Sequence, residues 1–217
     1  MILEVKDYNK TIKGKEILKN INLRFDSGHV YGFYGRNGSG KTMLFRAITT
    51  LIFPTSGDVL VDGKSVLKED FDLSQIGILI ETPGFYSYLT GFQNLSMLYT
   101  INHKKDDAHI HSILKKMGLE HAANKKYKEY SLGMKQRLRI AQAIMEDQKI
   151  LIFDEPTNGI DADGLQDIYK IIQEERDKGK LILLSSHNKE DLKYLCDDIY
   201  TIAGGEITGK LEGDKDA

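Results

Sequence analysis

The sequence predicts a mixed α/β fold: a core of parallel strands, an antiparallel β edge and an inserted all-helical segment. Three observations carry that prediction. An apolar run, Val30-Tyr31-Gly32-Phe33-Tyr34, leads into Gly35-Arg36-Asn37-Gly38-Ser39-Gly40-Lys41-Thr42 and then into a helix-compatible stretch from Met43 to Leu51. Two more apolar runs, Lys149 to Pro156 and Leu181 to Leu184, have the length and continuity of strands covered on both faces. From Thr90 to Gly118 the apolar spacing changes to that of helices.

Taken in order, residues 2 to 26 alternate apolar and polar positions around the turn Lys13-Gly14-Lys15, which reads as an antiparallel hairpin. Asp26-Ser27-Gly28 turns the chain into the first core strand. Beyond the glycine-rich loop and its helix, Pro54 to Gly57 and Asp62-Gly63-Lys64 bracket a short strand, Asp58 to Val61, that returns to the β edge. Gln75 to Ile80 is a buried strand ending at Glu81, and Thr82-Pro83-Gly84 sends the chain into a loop carrying Phe85, Tyr86 and Tyr88. Those aromatics form either a satellite cluster or a docking surface, with docking favoured. Phe92, Leu95, Leu98 and Tyr99, then Ile110, Ile113, Leu114 and Met117, define helices that stop at Gly118. His103, His109, His111 and His121 lie in this stretch, but His109 and His111, two apart on a helix, share no face, so a structural metal is not expected.

Ser131 opens a further helix with Leu138, Ala141, Ile144 and Met145 on its apolar stripe. After the strand that ends in Asp154-Glu155 comes the loop Asn158 to Gly164 and a helix from Leu165 to Asp177. Leu181 to Leu184 runs into Ser185-Ser186-His187, Asn188 begins a short helix, and Ile199 to Ile202, the Gly204-Gly205 turn and Glu206 to Thr208 close the chain as strands. The polar end from Glu212 to Ala217 adds no further domain.

At 217 residues with 41% hydrophobic content, the chain suits one large domain, or a core with an insert, that folds without covalent staples. Its one cysteine, Cys196, excludes an intramolecular disulfide and fits a reducing compartment. Met1-Ile2-Leu3-Glu4 has neither the basic flank nor the length of a secretion signal, and no apolar run approaches the ~20 residues of a membrane span. A net charge of −2, with both signs mixed, leaves no electrostatic footprint for nucleic acid. The cluster Lys125-Lys126-Tyr127-Lys128 reads as a solvated face.

The glycine-rich stretch satisfies the phosphate-binding pattern G-x-x-x-x-G-K-[ST] in the strand-loop-helix setting that gives it meaning. Glycine lets the backbone curl so that successive N–H groups point at phosphate oxygens, where the positive end of the next helix adds its partial charge. Gly35, Asn37, Gly38, Ser39 and Gly40 are the cradle, Lys41 reaches the β and γ phosphates, and Thr42 offers a hydroxyl to Mg²⁺. Phe45 is counted with them as a nucleotide neighbour. At the carboxyl end of the next core strand, Asp154 suits Mg²⁺ and Glu155 suits polarising a water in line with the γ phosphate. His187, after the third core strand, is placed to sense the γ phosphate.

In this order the motifs resemble the nucleotide-binding domain of ABC transporters over nearly the whole chain, from Met1 to about Gly209. Gly35 to Thr42 corresponds to Walker A, Ile150 to Glu155 to Walker B, Asn158-Gly159-Ile160-Asp161 to the D-loop and His187 to the switch histidine. Tyr130-Ser131-Leu132-Gly133-Met134-Lys135-Gln136-Arg137 stands where the family has Leu-Ser-Gly-Gly-Gln-x-Gln-Arg. The resemblance implies the ABC ATPase fold: a RecA-like core plus β subdomain over 1–81 and 148–217, and a helical signature subdomain over 82–147. It implies a head-to-tail pair, homodimer or sister subunits, in which ATP on one P-loop is closed over by the partner's signature serine and glycine, the equivalents of Ser131 and Gly133. It also implies a separate transmembrane permease that holds the chain at the cytoplasmic face of the plasma membrane. Four positions depart from the family pattern. Leu132 and Met134 replace a glycine and a glutamine, Glu81 replaces the Q-loop glutamine and is expected among the metal ligands, and the aromatic residue that commonly stacks on adenine is expected near Ile12, with Tyr8 as an outside candidate. Ile80-Glu81-x-Pro83-Gly84-Phe85-Tyr86, with the signature as it stands, is similar to exporters of the bacitracin-resistance and lantibiotic-immunity type, which implies an antimicrobial peptide or hydrophobic compound as cargo. Two other readings remain open: a soluble ABC ATPase acting on nucleic acid or protein complexes, and a nucleotide-binding regulatory module that does not hydrolyse.

Overall fold

A computed structural model describes residues 1–68, 70–81 and 84–213. Thr82 and Pro83 of the expected turn, and the last four residues of the polar end, lie outside the described residues.

Strands β1 (Ile2–Ile12) and β2 (Lys15–Asp26) form the expected hairpin, turning at Lys13 and Gly14, both with positive φ. β3 (Val30–Tyr34) enters the core and α1 (Lys41–Ile48) leaves the glycine-rich loop. β4 (Ser56–Val61) pairs antiparallel with β1, and β5 (Lys64–Ser65) pairs antiparallel with β4, giving a four-stranded edge sheet in the order β2-β1-β4-β5. β6 (Ile76–Leu79) returns to the core, and three helices follow: α2 (Gly91–Tyr99), α3 (Asp107–Lys116) and α4 (Leu132–Ile144). β7 (Ile150–Asp154), α5 (Ala162–Asp177), β8 (Leu181–Ser186), α6 (Lys189–Leu195), β9 (Asp198–Ala203) and β10 (Glu206–Glu212) complete the chain. The core sheet runs β10-β9-β3-β8-β7-β6, parallel throughout except for the terminal β9-β10 hairpin.

Side chains alternate across a strand, so each core strand feeds two hydrophobic layers. Ile150 and Ile152 of β7, with Leu181 and Leu183 of β8, join α1 and the edge sheet in one layer. Leu151 and Phe153, with Ile182 and Leu184, face the helices in the other. Coverage on both faces explains why these strands read as unbroken apolar runs. At Gly77 of β6, an added Cβ would fall 1.9 Å from the Ala143 carbonyl oxygen, so only glycine admits α4 this close to the sheet.

Local capping sets the helix starts. Thr90 and Gln93 form a reciprocal capping box on α2, and Asp106, Ser131, Asp161 and Asn188 each accept a backbone N–H at the start of α3, α4, α5 and α6. The aromatic loop divides between its two readings. Phe85 is buried edge-on against Tyr127, whereas Tyr86 and Tyr88 are exposed. Buried Asn94 holds the loop, accepting from the Tyr86 N–H at 2.8 Å and donating to the Tyr86 carbonyl at 3.1 Å. Three of the four histidines of this region pack on rings: His103 and His109 on Tyr99, and His111 on Phe92.

Candidate nucleotide site

The glycine-rich loop joins β3 to α1 at the carboxyl end of the parallel sheet, where open α/β sheets leave a crevice. Gly38 and Gly40 have φ of 77° and 119°, conformations that a side chain would strain, and Gly40 is the residue from which α1 starts. α1 has no side-chain cap, so the N–H groups of its first turn have no side-chain acceptor there. Ser39 Oγ is also buried without a hydrogen-bond partner among the described residues. Uncapped backbone donors and an unpaired hydroxyl beside a buried lysine suit a phosphate chain. The loop is tied to the β9-β10 turn by the Gly205 N–H, which donates to the Ser39 carbonyl at 2.9 Å.

Around the loop lies a cleft of about 850 Å³ lined by Asn37 to Met43, Asp154, Glu155, Gly204 and Gly205, with Ile12, Lys13, Lys15, Glu16 and Ile17 at its other end. Lys41 is buried; its ammonium donates to the Gly35 carbonyl at 2.7 Å and lies 3.9 Å from Glu155 Oε1. Thr42 Oγ1 donates to Asp154 Oδ2 at 2.6 Å, so a hydroxyl and a carboxylate meet as a pair of hard oxygen donors. Strand order explains the meeting: β8 lies between β3 and β7, with Asp154 opposite Ser185 and Tyr34 opposite Ser186.

Ser185, which lies outside the motifs named above, connects the acids. Its hydroxyl donates to Asp154 Oδ1 at 2.5 Å and accepts the Glu155 N–H at 3.0 Å. The signal in the sequence was a small hydroxyl residue at the carboxyl end of an otherwise apolar strand. Glu155 has a positive φ of 54°, and its Oε2 lies 2.9 Å from His187 Nδ1 and accepts the His187 backbone N–H at 3.3 Å. His187 is itself 64% exposed, on a loop fastened below by Asp191, which accepts from Thr157 at 3.0 Å and from Asn188 at 2.6 Å.

Several expected site residues do not line the cleft. Phe45 is fully buried, edge-on to Phe33 at 5.4 Å in the layer between α1 and the core sheet, so its ring does not face the cleft. Glu81 is outside the cleft as well: its carboxylate is bound by Arg46 of α1. Ile12 does line the cleft. Ser131 and Gly133 do not; Ser131 is exposed and caps its own helix by accepting the Met134 N–H at 3.2 Å.

A phosphate cradle at the carboxyl end of a parallel sheet, with an acid pair on a strand one removed, defines a P-loop nucleoside triphosphatase. Comparison with known proteins narrows the class. The family model described as ABC transporter matches residues 18–158, and the chain belongs to the ABC transporter family as one of its ATPase domains. It is 41% identical over 90% of its length to an uncharacterised ABC transporter ATP-binding protein, YybJ, of Bacillus subtilis, covering 90% of that protein. It is 36% identical to the bacitracin transport ATP-binding protein BcrA of Enterococcus faecalis, over 97% of this chain and 69% of that one. With the lantibiotic transport ATP-binding protein SrtF of Streptococcus pyogenes it shares 35% identity over 98% of this chain and 92% of the relative. Among solved structures, the dimeric bacterial ABC transporter cassette MJ0796 superposes with a TM-score of 0.88 at 24% identity, over 97% of this chain and 98% of the other, which establishes the fold. Among the described residues no helix is long and apolar enough to cross a membrane.

Proposed function

We propose that the chain hydrolyses ATP at a site shared between two nucleotide-binding subunits arranged head to tail, and so drives a separate transmembrane permease. The observation that carries this is the division of the expected phosphate-binding groups. Lys41, Thr42, Asp154 and Glu155 line one cleft, whereas Ser131 and Gly133 are outside it at the start of α4. A serine at an outward helix N-terminus, with the positive dipole end behind it, is suited to a phosphate held by another chain.

Within the cleft the Lys41 ammonium exchanges its bond to the Gly35 carbonyl for β and γ phosphate oxygens. Thr42 and Asp154 would hold Mg²⁺, which would supply positive charge against the negative charge developing on those oxygens. Glu155 accepts the proton of a water that attacks the γ phosphorus as the bond to ADP breaks. His187, hydrogen-bonded to the Glu155 carboxylate, orients that group, and it is the residue that senses the γ phosphate in this reading.

The relatives support a class of cargo. Two of them, each spanned for more than two thirds of its length, bear names for bacitracin and lantibiotic transport, and an antimicrobial peptide or hydrophobic compound moved outward is the corresponding substrate here. Exposed Tyr86 and Tyr88, on the loop after β6, are the surface offered to a cytoplasmic helix of the permease. Held there, the chain is peripheral to the cytoplasmic face of the plasma membrane.

The test is ATP turnover against protein concentration, with Glu155→Gln alongside. Turnover per chain that rises with concentration, and a Glu155→Gln protein at least a hundredfold slower, is the expected result. Turnover by neither protein above background at any concentration would leave the regulatory-module reading in its place, and equal measurable rates would remove Glu155 as the base.

A further inference from the structure

We propose that Gln136 is the positioning residue of the Glu155 backbone, and that it couples the start of α4 to the hydrolytic base of the same chain. The proposal deepens the function given above and rests on Glu155 being that base. Gln136 is 4% exposed, and its Nε2 donates to two successive carbonyls, Glu155 at 3.1 Å and Pro156 at 3.0 Å. Its Oε1 accepts from Arg139 Nη1 at 3.2 Å, which fixes the amide orientation so that the NH₂ group faces the carbonyls.

What the amide holds is a non-glycine residue with φ at +54°, a conformation that persists only where surrounding groups determine it. Ser185 fixes the peptide from its N–H side and Gln136 from its carbonyl side. The Glu155 carboxylate therefore inherits its direction from a strand on one side and from a helix of the inserted segment on the other. That helix starts at Ser131, five residues before Gln136, and Leu132 lies against Gly159 in the loop after the acids. A nucleotide closing on Ser131 moves or steadies α4, and through Gln136 the same displacement reaches Glu155. In a head-to-tail pair, each chain's base then responds to engagement of that chain's own signature segment with the nucleotide on its partner.

A purely structural role for Gln136, as a tie between helix and core, predicts lost stability with no selective effect on the chemical step. The full-length chain is made as Gln136→Met, which keeps the length and removes the donor, and as Gln136→His, whose ring Nε2–H falls near the amide nitrogen. Turnover, ATP binding by calorimetry and thermal midpoint are measured, with Glu155→Gln in parallel. The expected result is a ten- to hundredfold loss of kcat in Gln136→Met, with Kd for ATP and the midpoint near wild type, and recovery of most of that loss in Gln136→His. Wild-type kcat in Gln136→Met overturns the proposal, and so does a loss matched by weaker ATP binding or a lower midpoint. If Gln136→Met does not fold, Gln136→Asn, one carbon short of the carbonyls, carries the same test and overturns the proposal if its kcat is that of wild type. A silent Glu155→Gln beside a fully active Gln136→Met removes this inference alone, whereas an active Glu155→Gln removes the reading beneath it.

Discussion

At Ile12 the far end of the cleft presents a branched aliphatic side chain, flanked by Lys13, Lys15, Glu16 and Ile17, with no ring for a base to stack on. Base-aromatic stacking contributes about 1 to 3 kcal/mol per base. Replacing Ile12 by Tyr is therefore expected to tighten ATP binding at least fivefold in a calorimetric titration, and an unchanged Kd would mean that the base lies elsewhere. This residue was legible in the sequence by its distance from the following strand. Phe45 was not, because Leu44, Phe45, Ala47 and Ile48 of α1 are all buried, and an apolar helix between two layers gives no pattern that separates the ring facing the core from one facing a ligand. For Glu81, expected among the metal ligands, the structure shows an ion pair with Arg46, 35 residues away in the chain, which no local spacing signals. Ser185 and Gln136 make their hydrogen bonds across strands and helices, which no spacing encodes.

Among the elements, α3, α5 and β8 converge on Glu175, a carboxylate 1% exposed and surrounded by lysines. Lys116 lies 2.6 Å from it, Lys178 2.8 Å and Lys180 2.7 Å, and Lys180 also reaches Asp147 at 2.7 Å. Burial pushes the Glu175 carboxyl upward, but hydrogen bonds from the three ammonium groups outweigh it and hold the pKa at about 2. A carboxyl depressed in the folded state stabilises fully above its ordinary value of 4.5 and loses that contribution as pH falls towards 2. Glu175→Gln leaves the buried Lys180 ammonium with only the exposed Asp147 as counter-charge, a change that costs about 3 kcal/mol. Denaturant unfolding is expected to show that gap at pH 7 and to show it narrowing as pH drops below 4.5; a gap constant with pH would contradict the assignment. The strands and helices themselves were largely readable, since apolar runs and caps are local. α5 begins at Ala162 rather than Leu165 because Asp161 accepts the Gly164 N–H at 2.9 Å, and β10 runs on to Glu212 by pairing with β9. The Glu175 network was not readable, as its members come from four separated places in the chain.

For the whole molecule, the family, the two sheets and the inserted helices were all present in the order of motifs, because each motif falls at a strand end or a helix start whose position the chain topology fixes. How two copies meet is not written in any one motif. Ser131 and Gly133 lie outside the cleft that holds Lys41 and Glu155, so the central claim is that a second subunit completes the site. The most direct measurement is the solution mass of Glu155→Gln in ATP and Mg²⁺, with and without a second change, Ser131→Arg, that blocks the start of α4. The account predicts a dimer that forms only with ATP and is lost when Ser131→Arg is added. A monomer under all conditions, or a dimer indifferent to ATP and to Ser131→Arg, would contradict it.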